Sequence, residues 1–336
     1  MKRTLMVLAL AISLPASALA WGTQGHTLIS RAATQSLPAE VPAFVRTQTA
    51  IDEIGYLGPE EDRLKGSGES YDADRDDGHF LDIGDDATIA GVVRLDALPK
   101  SFAAYDDVLR KAGASPYTLG YVPYTIIDGF ERVRMDFAYW RVANYMATHA
   151  TTAAARARFA AERNLRQSLT LRDIGDWSHF IADGSQPLHI TIHYNGWGDY
   201  PNPHHYTKKH IHEFFESVFV NRYAKIAAVR ALIPAYKAID PAHLLSQDQI
   251  NALVGTYLTN TAKAVPPLYQ LYASGDFQSG SAKAITFTDQ QLARGSTELR
   301  NLIALAWEDS LNESVGYPLV PVRDILSGNV APNSSD

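Results

Sequence analysis

The sequence predicts an all-α fold, and three observations carry that expectation. Long stretches place apolar residues three and four positions apart, as Phe137 and Trp140 or Val142 and Met146 are, and this spacing lines one face of a helix. Alternating β-branched runs are nearly absent, and Val92 to Leu95 is too short to build a sheet. The 336 residues are 46% apolar and 20% charged, the balance of a folded chain, so disorder, collagen and coiled coil fail as descriptions of the whole. Taken in order, the helical stretches are Gly22 to Ser36, Ile127 to Thr148, Thr152 to Asp183 with an interruption near Arg163, Lys208 to Leu232, Ser246 to Ala273, and Asp289 to Leu311. Between Asp52 and Pro123 the pattern dissolves into Gly, Pro, Asp and Ser, which predicts long ordered loops of the kind that carry sites. No internal repeat or low-complexity linker divides the chain. One domain over 21–316 is therefore expected, followed over 317–336 by a short apolar stretch and a polar tail.

The first twenty residues read as an address. Lys2 and Arg3 form a basic start, Leu5 to Leu14 an apolar middle and Ala18-Leu19-Ala20 a small-residue cleavage site, the pattern of a secretory signal peptide. The apolar run is shorter than the roughly 20 residues that cross a bilayer. Cleavage is expected between Ala20 and Trp21, with the product in the periplasm or outside the cell. Loss of Lys2 and Arg3 reduces the 30 basic residues to 28 against 37 acidic ones, a net charge of −9 with histidine neutral. That balance argues against gripping duplex DNA through a basic surface. A nucleic-acid substrate stays possible, because bound divalent metals reverse the local potential. The chain has no cysteine, so disulfide scaffolds, cysteine nucleophiles and thiolate metal sites are excluded. Any transition-metal site must use histidine and carboxylate.

The eleven histidines are not scattered at random. The segment DWSHFIADGSQPLHITIH holds His179, Asp183 four residues on and His189 six beyond. Positions i and i+4 share a helix face, so His179 and Asp183 can point at one ion. Gly184 and Pro187 end that helix and let His189 approach from a turn. By composition, a His-x3-acid-x5-His pattern is expected only ~0.04 times in such a chain. His212 and Glu216 repeat the i,i+4 pair in KKHIHEFFES, and antiparallel packing would set the two pairs face to face. By contrast, His149 and His243 have ordinary helix-end and loop contexts. His193, His204, His205 and His210 crowd a polar loop, where they either support ligands or face solvent.

Other residues sharpen the pattern. WGTQGH puts Trp21 at the expected mature terminus with His26 five residues on, and His79-Phe80-Leu81-Asp82 supplies another histidine from the loop region. Together with His179, Asp183, His189, His212 and Glu216, this order resembles the zinc-dependent phospholipase C and type I nuclease family, whose nuclease branch holds the single-strand-specific nucleases called S-one and P-one. The motifs run from Trp21 to Glu216, with compatible helical texture to about residue 311. The resemblance implies an all-α domain holding three zinc ions. His79, His179 and Asp183 would bind one ion with an upstream acid; His189, His212 and Glu216 a second; and the amine and carbonyl oxygen of Trp21, His26 and a bridging Asp183 the third. The family's upstream aspartate falls here on Leu64 or Lys65. Asp62 in GPEEDRLK is therefore chosen for that ligand, with Glu60 next because Arg63 follows it at the family's spacing, and Glu61 between them.

Phosphodiesters repel hydroxide and have poor leaving groups. Clustered zinc ions would neutralise the phosphate, bring a bound water toward pKa ~7 and stabilise the departing oxygen. Asp62 would orient or deprotonate that water, and Arg63 would clamp phosphate. In the nuclease branch the residue after the loop histidine stacks on a base and the aspartate two further on reads its edge, which implies those roles for Phe80 and Asp82. The Trp21–His26 step matches the nucleases, whereas glutamate at 216 matches the phospholipases. The terminal motif outweighs a single methylene, so a nuclease or 3′-nucleotidase acting on single-stranded nucleic acid or nucleotides is favoured. Phospholipase C acting on a phospholipid headgroup is the alternative, and an exported zinc-binding protein without turnover is a third. Nothing in the sequence calls for a protein partner, so a monomer is expected.

Overall fold

A computed structural model describes residues 21–65, 68–239 and 241–332; the expected leader lies outside the described residues. The fold is 65% helix and 3% strand, in keeping with an all-α architecture. Helix α1 (Gly22–Gln35) begins at Trp21, whose backbone is left-handed with φ 40°. The Thr47 hydroxyl caps α2 (Gln48–Leu57) by accepting from the Ala50 N–H, which satisfies a donor the helix cannot pair internally. The region expected as loops is in part helical: α3 (Glu60–Leu64), α4 (Asp72–Asp76), α5 (Phe102–Lys111) and α6 (Pro116–Leu119) lie within it. None exceeds ten residues, too few to display an apolar period. The readable signal was in the caps, Ser101 before α5 and Ser115-Pro116 at the start of α6. A two-residue hairpin pairs β1 (Thr88–Ile89) with β2 (Val93–Arg94), antiparallel, with Ile89 opposite Val93.

The long helices form the frame. Helices α7 (Val122–His149) and α8 (Ala153–Asp183) are joined by three residues and pack along their length as an antiparallel hairpin. Gly129 allows the close crossing: a Cβ there would lie 1.9 Å from Trp177 Cδ1. The expected interruption near Arg163 does not occur, and α8 runs unbroken for 31 residues. Arg163 and Asn164 cost a helix only tenths of a kcal/mol, which packing against α7 offsets. The stretch from Lys208 to Leu232 is instead broken into a π-helical turn (Phe214–Phe219), α9 (Val220–Tyr223) and α10 (Ile226–Ala231). Likewise α11 (Gln247–Ala262) and α12 (Val265–Ala273) replace one helix, because Pro266 and Pro267 lack the N–H a continuous helix needs and suit a first turn. After α13 (Asp276–Ser279), α14 (Ala282–Asp309) starts earlier than Asp289 because the Ser281 hydroxyl caps it.

The expected boundary at 316/317 falls inside a second hairpin, β3 (Ser314–Val315) with β4 (Val320–Pro321). Val315 joins Val322 and Ile325 of α15 (Val322–Leu326) in one buried cluster with Ala138 and Val142 of α7. This part of the C-terminal segment is therefore packed on the main helices. Among the described residues no helix is long and apolar enough to cross a membrane.

Two larger apolar clusters fill the interior. Ile54, Trp177 and Ile181 belong to one, and Trp21, Ile29, Ala182 and Phe215 to the other. Ile181 and Ala182 are consecutive, so the end of α8 runs along the seam between them. The next residue is Asp183.

Candidate metal centre

The seam gathers carboxylates and imidazoles from six segments. Helix α1 supplies His26, α3 supplies Asp62, the turn after α4 supplies His79, and α8 supplies His179 and Asp183. His189 comes from a short turn at Pro187–His189, while His212 lies two residues before the π-helical turn and Glu216 within it. All are buried. They form three adjoining groups able to hold a metal ion: His26, His179 and Asp183; Asp62, His79 and His179; and His189, His212 and Glu216. The grouping explains why α8 spaces His179 and Asp183 four apart. The Asp183 carboxylate faces three imidazoles, with Oδ2 3.3 Å from His179 Nε2, and Oδ1 3.5 Å from His26 Nε2 and 3.9 Å from His189 Nδ1. Asp62 straddles the first two groups, 3.7 Å from both His26 Nε2 and His179 Nε2. His212 Nε2 lies 2.8 Å from Glu216 Oε2 and 3.1 Å from His189 Nε2.

Two ligands at about 2.0–2.1 Å from a tetrahedral ion are about 3.4 Å apart. The 3.3–3.7 Å separations around His26, His179, Asp62 and Asp183 match that spacing rather than direct hydrogen bonding.

Main-chain carbonyls aim three of the rings. His179 Nδ1 donates to Gly58 O at 2.9 Å, His189 Nδ1 to His79 O at 2.9 Å, and His79 Nδ1 to Arg75 O and Asp76 O at 3.1 Å each. With Nδ1 holding the proton, Nε2 presents a lone pair inward, the tautomer a metal requires. Several inward atoms have no hydrogen-bond partner: His79 Nε2, His179 Nε2, both oxygens of Asp62 and Asp183, and Glu216 Oε1. Buried polar atoms left unpaired in this number are costly. Cations would satisfy them together, and the donor set of nitrogen and oxygen suits imidazole-binding transition metals.

Trp21 is fully buried, its indole Nε1 2.9 Å from both Ala182 O and Ser185 Oγ. This anchors the first described residue beside the neighbours of Asp183 and holds its left-handed backbone, which a bulky residue adopts only under constraint. The Trp21 carbonyl accepts from the Gly25 N–H at 3.1 Å. Arg63 lies outside the three groups: its guanidinium pairs with Glu60, donates to Tyr56 O and sits 4.5 Å over the Tyr56 ring. Phe80 is half-buried and outside the apolar clusters. Asp82 is also half-buried, and burial with the nearby Asp77 pushes its carboxyl up to about 7.

Sequence reasoning missed one polar contributor. Gln186 is buried, with Nε2 3.3 Å from both His212 Nε2 and Glu216 Oε2, and its Oε1 accepts from the Leu188 N–H. Its place in the turn between Asp183 and His189 was the available signal. His193 is neither solvated nor a ligand in these groups: it stacks on Trp197 at 3.6 Å and pairs with Asp85 at 2.9 Å. His204, His205, His210, His149 and His243 are exposed.

Electrostatics agree with a centre built for cations. Burial pushes the carboxyls of Asp62 and Asp183 up to about 7, and burial holds the rings of His79 and His179 below the usual imidazole range. Burial also works to raise Glu216, but His212 and His189 outweigh it and bring the carboxyl down to about 2. For Asp62 and Asp183 the folded value exceeds the unfolded one near 3.8. Their stabilising effect is complete below about pH 4 and is lost as pH rises through 7. Chelator-treated protein is therefore expected to lose melting temperature between pH 5 and 8, whereas metal-replete protein should hold it. Equal pH profiles with and without metal would contradict this account.

Fold and site together define a helical protein with a buried histidine–carboxylate centre suited to metal ions. No protein-family model matches the chain, and no curated protein matches it.

Proposed function

We propose that the chain is an exported zinc-dependent hydrolase of phosphate ester bonds, a single-strand nuclease or 3′-nucleotidase that uses water as its nucleophile. The observation that carries this reading is the convergence of Asp62, His79, His179, Asp183, His26, His189, His212 and Glu216 in one buried seam. The order of these residues along the chain, beginning beside Trp21, supports the same family resemblance. The hydroxyls nearby are committed: Ser178 donates to Gly175 O, Ser185 to Ala182 O and Ser30 to His26 O. A water nucleophile fits that inventory better than a serine.

Bound zinc would supply charge neutralisation of the phosphate and activation of water. The protein's own part is positional. The Gly58, His79, Arg75 and Asp76 carbonyls fix ring direction, and the apolar seam keeps bulk water from the carboxylates. Asp62, buried between His26 and His179, is placed to take or orient the proton of an attacking water. Arg63 would act at the rim by exchanging Glu60 for a phosphate oxygen. Asp82, near 7, can donate or accept at a base edge.

Purified zinc-loaded protein should hydrolyse single-stranded DNA, RNA or a 3′-nucleotide in a parallel assay with phosphatidylcholine. Glutamate at 216 favours the phospholipase reading, and cleavage of the lipid alone would establish it instead. Metal uptake with no hydrolysis of any substrate would leave a non-catalytic zinc-binding protein.

Phe80 separates substrate reading from chemistry. Phe80→Ala should raise KM on nucleotides by removing ~1–3 kcal/mol of stacking while zinc content stays constant. His79→Ala, one residue away, should lose metal and kcat. If both variants behave alike, Phe80 has no role in holding a base.

A further inference from the structure

The geometry points to Gln186 as the residue that reserves one side of the third group for an anionic oxygen from outside the chain and donates a hydrogen bond to it. This rests on the reading of the seam as a zinc centre. Gln186 is fully buried beside His212 and Glu216. Its amide has two unlike ends, and the turn after α8 decides which of them faces the group. The Leu188 N–H donates to Gln186 Oε1 at 2.8 Å, so the acceptor end is committed to the backbone. Nε2 is left facing the group, 3.3 Å from both Glu216 Oε2 and His212 Nε2.

An amide nitrogen has its lone pair delocalised into the carbonyl and is no metal ligand. The third group therefore offers His189, His212 and Glu216 alone, and among the described residues no further imidazole or carboxylate joins it. Three protein ligands with one place for water or substrate are the pattern of zinc sites that do chemistry, whereas structural sites close with a fourth. One N–H of Gln186 donates to Glu216 Oε2, which leaves Oε1, an atom with no partner, to meet an ion. The other points toward His212 Nε2, whose lone pair an ion would occupy, so this N–H is left for an oxygen beside it. Such an oxygen can reach the group: His189 and His212 each keep 4% exposure, while His26, His179 and Asp183 keep none. Exposed Tyr194 lies on the same side, its ring centre 6.5 Å from that of His212. A negative oxygen suits the place, because a hydrogen bond to an anion is shorter and stronger than one to a neutral group.

Inorganic phosphate and the variants Gln186→Glu and Gln186→Met test the inference on zinc-loaded protein at pH 8. Glutamate keeps an acceptor for the Leu188 N–H but replaces the inward donor with a carboxylate oxygen, a fourth ligand. The zinc that His212→Ala lacks should then pass to a chelator about tenfold more slowly than from the unaltered chain. Phosphate, followed by calorimetry, should bind Gln186→Glu about tenfold more weakly, the loss expected for one hydrogen bond to a charged group. Methionine keeps the length with neither donor nor ligand. In Gln186→Met the same zinc should leave about tenfold faster, the lower end of what losing a ligand's hydrogen-bond partner costs, and phosphate should again weaken. If Gln186 only caps the turn, Gln186→Glu releases zinc and binds phosphate as the unaltered chain does, and the inference is overturned. An unaltered chain that binds zinc but no phosphate overturns it as well and leaves the zinc centre standing. A chain that takes up no zinc removes the zinc reading and the inference together.

Discussion

Asp183→Asn should cost more than about a hundredfold in kcat/KM and remove more than one metal ion per chain. A residue that merely orients a ligand is worth about 10- to 100-fold, and Asp183 is placed to do more. Its two oxygens face His26, His179 and His189 at 3.3–3.9 Å, imidazoles that belong between them to all three groups, so one substitution removes a negative charge that they share. The amide also brings an N–H into a pocket whose neighbours are lone pairs. His212→Ala, which touches only the third group, is the comparison: it should lose about one ion and leave the others. Zinc counted by atomic absorption decides the matter. Equal metal content in the two variants would rule out a shared carboxylate.

The other large effect concerns the terminus. Inside a precursor the nitrogen of Trp21 is an amide whose lone pair is delocalised into its carbonyl, a poor zinc ligand at neutral pH. If the proposed cleavage frees Trp21, that nitrogen becomes an α-amine with pKa near ~8, readily deprotonated beside a cation. The indole already ties Trp21 to Ala182 and Ser185, so little reorganisation is needed to bring the amine to the first group. A cytoplasmic chain starting Met-Trp21, with the methionine retained, should hold two zinc ions in place of three and be nearly inactive. Protease treatment that frees Trp21 should restore both. Full activity and three zinc ions in the extended chain would remove the terminal amine from the mechanism.

The two residue pairs at i,i+4 were legible because a helix turns their spacing directly into a shared face. His179 with Asp183 and His212 with Glu216 accordingly meet within single groups. Asp62 was legible only as one of three acids in GPEEDRLK. The short helix α3 decides among them, since it buries Asp62 and leaves Glu60 paired with Arg63. Arg63 was legible through its spacing from Glu60, and its contacts lie with Tyr56 and Glu60. The long helices were visible through their periods, with ends misplaced by caps such as Ser281. Gln186 and the short helices of residues 60–119 escaped because neither an isolated amide nor a helix of one to three turns repeats often enough to stand out as a period. The π-helical turn at Phe214–Phe219 is set by tertiary packing against Trp21 and Phe277, which no local pattern encodes.

The carbonyl anchors of His79, His179 and His189 bear on how this protein can drift over generations. Every residue type owns a carbonyl, so Arg75 and Asp76 supply theirs whatever side chain they carry, and substitution there should leave the ring of His79 in place. Gly58 is the exception, for crowding rather than chemistry: a Cβ would lie 2.5 Å from Ser30 Oγ and 3.1 Å from His26 O, displacing the backbone that steadies His179. The path of the chain thus holds the histidines, and side-chain identity beside them is largely free. Such a centre tolerates point replacement around its rim but has little tolerance for a change of length. Deleting one residue between Gly58 and Asp62 would pull an anchor and a ligand out of register together, and the lineage would lose more by that single indel than by many substitutions.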